Sequence, residues 1–308
     1  MPPTIPPGSP ADPPAPAAPA IPVYRDYSQA ELDAQYDQAT LVPDIGGYLD
    51  AWNAESARAR AAPACRLSVP YGGGPAETLD IFPAENGADG VPVMLFVHGG
   101  AWKALSKDSF SYPAGPFAAA GAAWVVTDFS LLPDVSLDEQ VRQNRAALTW
   151  LWRNARSFGG DPDRLYVCGH SSGAHVGGTL VQAGWRARAG LPEDVIKGAV
   201  LVSGMYDLEP VRLSARNSYV HLDEVAARRL SPIHNIPDRL PKLALFWGSG
   251  ELDEFRRQSR AFAEALWTRG HRAEAMEIAG ANHFEMADGF ADSRSAILRS
   301  CLGMMGLL

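Results

Sequence analysis

A chain of 308 residues with 46% hydrophobic side chains can bury one large core, and a single domain is the expectation at this length. Its formal net charge of −8 and its lack of a long Lys/Arg run argue against a nucleic-acid or anionic-membrane surface, which needs a positive footprint, and favour a small neutral or aromatic molecule as partner. Cys65, Cys168 and Cys301 are odd in number and too widely spaced for a disulfide framework or a zinc pattern, so they read as reduced thiols.

Met1 to Pro22 is almost entirely Pro, Ala, Gly, Thr, Ser and Ile, a composition that buries too little apolar surface to offset ordering entropy. A disordered or polyproline-like tail is expected there, followed by one folded domain over 23–308. The first basic side chain is Arg25, so the segment lacks the basic start of a secretory signal. No apolar run approaches the ~20 residues that span a bilayer, and a cytoplasmic protein is expected. Residues before Arg66, including Tyr36, Tyr48 and Trp52, are expected to pack as one or two helices near the ligand opening.

From Arg66 onward short β-rich runs alternate with helical stretches, the pattern of a doubly wound, mostly parallel α/β sheet with helices on both faces. About eight strands are predicted: Arg66 to Val69, Thr78 to Phe82, Val91 to Val97, Ala123 to Thr127, Arg164 to Cys168, Ala199 to Val202, Leu243 to Trp247 and Ala273 to Ile278. Gly72 Gly73 Gly74 lacks a following Lys-Ser/Thr and reads as a hairpin turn rather than a phosphate cradle. Val91 to Val97 is apolar on both faces, as a central parallel strand must be. Helices are predicted over Leu137 to Arg156, Ser172 to Trp185, Glu254 to Arg269 and His283 to Leu302. The stretch Tyr206 to Leu240, of mixed polarity and broken by Pro210, Pro232 and Pro237, is too long for a simple crossover loop. It reads as a small cap over the carboxyl ends of the strands, where such sheets bind ligands. Apolar residues from Leu302 to Leu308 would seal either the core or a homodimer.

Gly169 His170 Ser171 Ser172 Gly173 follows directly on the apolar run Leu165 to Cys168. Glycines permit the sharp strand-to-helix turn that would lift the Ser171 hydroxyl clear of the sheet, over a helix N-terminus. A serine needs a base, an orienting carboxylate and oxyanion donors before it becomes a nucleophile at neutral pH. His98 Gly99 Gly100 Ala101 Trp102, after the Val91 to Val97 strand, offers the amides of Gly99 and Gly100 as donors, with the Ser172 amide as the third. Of seven histidines, His98 lies within the donor loop, His170 and His175 flank the serine, His221 and His234 fall in the cap, and His271 precedes the last strand. His283, just past the carboxyl end of that strand, is the candidate base. The acid should follow the seventh strand, where Glu251, Asp253 and Glu254 compete. Glu254 suits the start of the next helix, and spacing leaves Glu251 and Asp253 equal. No His-Glu-X-X-His helix or paired ligand spacing occurs, so no metal is expected.

At these residues the chain resembles the esterase and lipase branch of the α/β-hydrolases, and within it the kynurenine formamidase (arylformamidase) group, from about Tyr36 to the C-terminus. The broader motifs are His98 to Trp102, Leu131 Leu132 Pro133, and Gly159 Gly160 Asp161 Pro162. The narrower ones are Ser203 Gly204 Met205 Tyr206 Asp207 Leu208 Glu209 Pro210 and Glu254 Phe255 Arg256 Arg257 Gln258 Ser259. The resemblance implies the α/β-hydrolase fold and sets Glu251, three residues before Glu254, at the position of the formamidase acid. The chain departs from the group at Ala101, where formamidases commonly carry tyrosine.

The expected function is therefore a serine hydrolase working through an acyl-enzyme without a cofactor, with Ser171, Glu251 and His283 as the triad. The resemblance implies N-formylkynurenine as substrate. The alternative is a carboxylesterase for short-chain acyl esters using the same residues. Trp102, Tyr206 and Phe284 are candidate contacts for an aromatic leaving group, against the competing reading that they fill the core. A non-enzymatic receptor or scaffold on the same fold is the third reading, weakened because every triad member is available.

Overall fold

Every residue of β3 (Val91–Val97) is buried, and its side chains alternate between two cores, Val93, Leu95 and Val97 on one side and Met94 and Phe96 on the other. A strand that is apolar on both faces requires a covering layer on each. The computed structural model, which describes residues 21–308, provides both layers around an eight-stranded sheet. The strands are β1 (Arg66–Pro70), β2 (Thr78–Phe82), β3, β4 (Ala123–Thr127), β5 (Gly160–His170), β6 (Ile196–Val202), β7 (Lys242–Gly248) and β8 (Ala273–Ile278). They lie in the order β1-β2-β4-β3-β5-β6-β7-β8, and β2 is antiparallel to both its neighbours while β3 to β8 run parallel. The glycine-rich Gly72 to Gly74 segment is the hairpin between β1 and β2, pinned by the Gly74 amide on the Glu77 carboxylate at 2.7 Å. The predicted strands are all present; β5 starts earlier than expected because Gly160 already pairs with Val91.

The helices are α1 (Gln29–Ala34), α2 (Ile45–Arg60), α3 (Ala114–Ala119), α4 (Leu137–Asn154), α5 (Ser172–Leu180), α6 (Trp185–Arg188), α7 (Glu209–Leu213), α8 (Asn217–Val220), α9 (Glu224–Leu230), α10 (Asp253–Thr268), α11 (His283–Asp288) and α12 (Ala296–Met305). Helices α4, α5 and α10 bury their apolar residues in the first core; α2, α3, α11 and α12 bury theirs in the second. In α4 the Ser136 side chain accepts the Glu139 amide at the N-cap, acidic Asp138 and Glu139 occupy the positive end of the dipole, and Leu137, Val141, Leu148 and Leu151 form the buried stripe.

Two predicted helices are shorter than expected. The Ser172 to Trp185 helix stops at Leu180, and the chain reverses through Gly184 at φ +83° before α6. The His283 to Leu302 helix is two helices, because Ser295 caps a second start by accepting the Ile297 amide, and Gly289 makes the close approach to Ile297 that the corner needs. Short α3, whose N-terminus has no side-chain cap, was not predicted.

The Tyr206 to Leu240 segment folds as α7, α8, α9 and a 3₁₀ turn, with Pro210 and Pro232 starting elements rather than only breaking them. It is tied to the N-terminal segment: the Gln29 side chain donates to the Leu213 carbonyl at 2.9 Å and the Ala215 amide to Asp33 at 2.6 Å. At the other end of the chain Leu302 and Met305 are buried in the second core and Leu307 packs on it, while Leu308 is exposed. Cys168 and Cys301 are buried free thiols and Cys65 is half-buried. Among the described residues no helix is long and apolar enough to cross a membrane. The tail expected over Met1 to Pro22 lies outside the described residues but for its last two.

The crossing of β3 and α5 leaves no room for a side chain, since a Cβ on Gly173 would lie 2.0 Å from the Val97 carbonyl oxygen and 2.5 Å from that of His98. Gly173→Ala is expected to cost about 1–3 kcal/mol of stability. Urea unfolding should show a lower midpoint than wild type, with Gly303→Ala, whose nearest neighbour is the flexible Leu308 side chain at 3.5 Å, as the control that leaves it nearly unchanged.

Candidate active site

The carboxyl ends of β3, β5, β7 and β8 converge on one place. Ser171 follows β5 with φ +57° and ψ −123°, a conformation that costs a non-glycine residue about 1–3 kcal/mol and persists only where neighbours hold it. Its amide donates to the Val202 carbonyl at 2.9 Å and its carbonyl accepts the His175 amide at 3.2 Å. Gly169 permits the turn, because a Cβ there would be 2.5 Å from the Gly173 carbonyl oxygen. The Ser171 hydroxyl donates to His283 Nε2 at 3.0 Å, and His283 Nδ1–H donates to Glu251 Oε1 at 2.5 Å. Nδ1–H on the carboxylate leaves Nε2 as the acceptor, the tautomer a general base requires.

Spacing left Glu251 and Asp253 equal and the resemblance favoured Glu251; their positions agree with the resemblance. Asp253 begins α10 with its side chain 75% exposed and pairs with Arg256 at 3.2 Å. Glu254 is buried in a two-pronged pair with Arg257. Glu251 alone of the three meets His283, and its other oxygen accepts the Ser203 hydroxyl at 2.9 Å and the Gly248 amide at 2.8 Å. Ser203, at the end of β6 with φ +55°, thus orients the acid. The sequence marked Ser203 only as the first residue of a family motif, because its role depends on β6 and β7 being neighbours.

His170 also acts on the base. Its Nε2–H donates to the His283 carbonyl at 2.9 Å, and the two rings lie 4.5 Å apart. Burial, together with the charge of His283, holds the His170 imidazole well below its usual pKa and keeps it neutral beside the base. His175 is neutral for the same reason, since burial pushes it down to about 4. Its Nε2–H donates to the Leu230 carbonyl at 2.9 Å and its Nδ1 accepts the Trp102 indole N–H at 3.2 Å.

That contact corrects one expectation. Trp102 does not face a ligand; it is buried, edge-on to the His175 ring at 5.4 Å, with its amide donating to the Ser172 hydroxyl at 3.1 Å and its carbonyl accepting from Gln140 at 2.7 Å. It anchors the donor loop to α4, α5 and the insert. Tyr206 is likewise a core residue, fully buried and stacked on Phe262 at 4.6 Å, because its chain turns inward after β6. Phe284 does face the opening, stacked on Tyr48 at 5.5 Å.

The donor loop is a left-handed run, with φ of +109° at Gly100, +53° at Ala101 and +63° at Trp102. Successive amides in such a run turn toward one concave side, which suits an anion. Gly100 requires glycine, since a Cβ would lie 2.0 Å from the Ala104 carbonyl oxygen. The amides of Gly100, Ala101 and Ser172 have no protein acceptor among the described residues. Gly100 and Ala101 line the opening, whereas Gly99 is buried behind them against His170 and Ser171. Of the two expected loop donors Gly100 lines the opening and Gly99 does not, while Ala101 lines it as well, because the loop turns at Gly100. His98 braces the loop: Nδ1–H donates to the Gly99 carbonyl at 2.8 Å and the ring stacks on Phe129 at 4.3 Å.

Ser171 and His283 open into a cavity of about 300 Å³, at the small end of the range for ligand pockets. Its apolar wall is Ile45, Leu49, Trp52, Phe110 and Phe284, and Asp37, Lys103 and Arg216 are its charged residues. Residues before Arg66 thus supply much of the wall, as the sequence suggested, while of the Tyr206 to Leu240 segment only Arg216 lines it. Periodicity could not find these positions, since α2 reaches the opening by tertiary packing, with Trp52 on Phe110 at 5.3 Å and Tyr48 on Phe284 at 5.5 Å.

The BD-FAE family model matches residues 79–186. Kynurenine formamidase from Danio rerio is 28% identical over 92% of this chain and 98% of its own length, and that from Salmo salar is 29% identical over the same shares. A solved structure from Silicibacter sp. TM1040, provisionally described as a thioesterase, superposes with a TM-score of 0.76 at 28% identity, covering 87% of this chain and 98% of its own.

The neutral His175 makes a pH prediction. An unfolded histidine titrates near pH 6.5, so between there and about pH 4 the unfolded chain binds a proton that folded His175 refuses. Its share of stability is complete above pH 6.5 and is lost as the pH falls. In urea titrations between roughly pH 6 and 4.5, stability of His175→Gln should fall less steeply than wild type, by up to about 1.4 kcal/mol per pH unit. Identical slopes would contradict a buried neutral imidazole.

Proposed function

This chain is an α/β-hydrolase of the kynurenine formamidase group, and from that we propose that it hydrolyses an aryl formamide, N-formylkynurenine, to formate and kynurenine. The observation that carries the reading is the continuous relay from Ser171 through His283 to Glu251, opening on a small cavity walled by Trp52, Phe110 and Phe284. Ser171 Oγ attacks the formyl carbon while His283 Nε2 takes the hydroxyl proton. The carbonyl oxygen, now negative, is bound by the amides of Gly100, Ala101 and Ser172; one such donor is typically worth ~10²–10³ in kcat. His283 then delivers its proton to the departing aryl nitrogen, the C–N bond breaks, and a formyl-enzyme remains. Water attacks that ester with His283 again as base, and formate leaves. Glu251 keeps His283 in the required tautomer and stabilises its charged form. A formyl carbon bears only hydrogen and needs almost no acyl pocket, while an aromatic amine fits the aromatic wall.

One observation favours a second reading, a carboxylesterase for short-chain acyl esters. Ala101, beside the proposed donors, stands where formamidases commonly carry tyrosine, and its methyl group leaves room for a longer acyl chain or an alkoxy group. We further propose a cytoplasmic location and a small-molecule acyl substrate as partner.

The deciding measurement is kcat/KM for N-formylkynurenine beside p-nitrophenyl acetate and butyrate, with Ser171→Ala as the blank. A preference of at least ~10²-fold for the formamide, about 2.7 kcal/mol of differential transition-state binding, is expected. Comparable or better ester turnover would replace the formamidase reading by the esterase one. On whichever substrate is turned over, Glu251→Gln should lower kcat by roughly 10³–10⁴, whereas Asp253→Asn should leave it nearly unchanged. The reverse pattern would remove Glu251 from the relay.

A further inference from the structure

We infer that Arg216 forms a carboxylate-binding subsite, so that the cavity selects acyl substrates whose leaving group carries an anion remote from the scissile bond. The inference rests on the hydrolase reading of the same cavity and adds the charge of the substrate to it.

Arg216 lies at the start of α8, half-buried, and lines the cavity that holds Ser171 and His283. Its guanidinium sits over the Tyr36 ring at 5.0 Å, with Nη2 donating to the Tyr36 carbonyl at 2.5 Å and Nη1 3.7 Å from Met205 Sδ. These contacts fix the plane of the group and use two of its five N–H donors. Among the described residues it has no carboxylate partner, unlike the half-buried Arg212, paired with Glu209 at 2.6 Å, and Arg257, paired with Glu254 at 2.6 Å. A guanidinium partly withdrawn from water and left without a counter-ion is costly, and the cost falls when a ligand carboxylate arrives. A planar, oriented guanidinium suits a carboxylate better than a point charge does.

The surroundings agree in sign. Lys103, also on the cavity, is exposed and rests its ammonium 4.2 Å over the Tyr219 ring. With Arg216 it outnumbers Asp37, the one acidic residue lining the cavity among the described residues, so the basic side chains predominate at the opening on a chain whose net charge is −8. His170, facing the same cavity, adds no charge because burial keeps it neutral. The neighbouring wall of Trp52, Phe110 and Phe284 accepts the aromatic part of such a substrate and offers nothing to its anion.

The test uses two matched substrate pairs on wild type, Arg216→Gln and Arg216→Lys. One pair is N-formylkynurenine and its α-carboxamide; the other is the acetate ester of 3-(2-hydroxyphenyl)propanoate and that of its carboxamide. The readout is the ratio of kcat/KM for the anionic over the neutral member, which does not depend on the fraction of protein that folds. Wild type should favour the anion, Arg216→Gln should lower that ratio about 10–100-fold, and Arg216→Lys should retain part of it. A wild-type ratio near unity, or equal losses on both members of a pair in Arg216→Gln, would overturn the subsite while leaving formamide hydrolysis standing. Turnover of the esters alone, with the anion preference still lost in Arg216→Gln, would overturn the formamidase reading while leaving the subsite standing.

Discussion

The strained backbone at Ser171 governs the arrangement of everything around it. A left-handed serine between β5 and α5 holds only because Gly169 and Gly173 let β3, β5 and α5 approach more closely than any side chain allows. That approach brings the end of β3, and with it the Gly100 loop, beside the serine. It also turns the first amides of α5 toward the same point, so nucleophile and oxyanion donors come from one packing event.

The remaining site residues are held by groups that never touch a substrate. Ser203 and the Gly248 amide fix Glu251, His170 fixes the backbone of His283, and Trp102, tied to His175 and through it to the Leu230 carbonyl, fixes the donor loop. Both buried imidazoles are neutral, so each has one N–H to give and, in His175, one lone pair to receive. A charged His170 would put a buried cation next to His283, the proposed base, which would itself have to become charged during the reaction.

The cavity is assembled from parts distant in the chain: the segment before Arg66, the loop after β3, the residue after His283, and a single arginine of the insert. The insert is anchored to α1 by Gln29 and Asp33, so Arg216 and Tyr36 share one rigid wall. Chemistry therefore rests on the parallel sheet, while selection among substrates rests on the segments laid over its carboxyl edge, the division seen wherever loops vary on a fixed scaffold.

The strands, the Ser171 elbow and His283 were legible from the chain alone, because they obey local rules: a buried strand is a short apolar run, and a strained turn demands glycines at set positions. Spacing alone did not separate Glu251 from Asp253, which lie within one loop; the family resemblance favoured Glu251, and the start of α10 turns Asp253 outward. Ala101 rather than Gly99 lines the opening beside Gly100, because the bend at Gly100 decides which part of the loop faces it. Trp102 and Tyr206 looked like binding aromatics because composition cannot tell which side of a loop meets the core. The roles of Ser203 and Arg216 were invisible for a related reason, and the α2 wall was expected near the opening without its individual contacts. Their roles are contacts between residues tens to hundreds of positions apart, and such contacts exist only once the sheet order and the layers above it bring distant segments together.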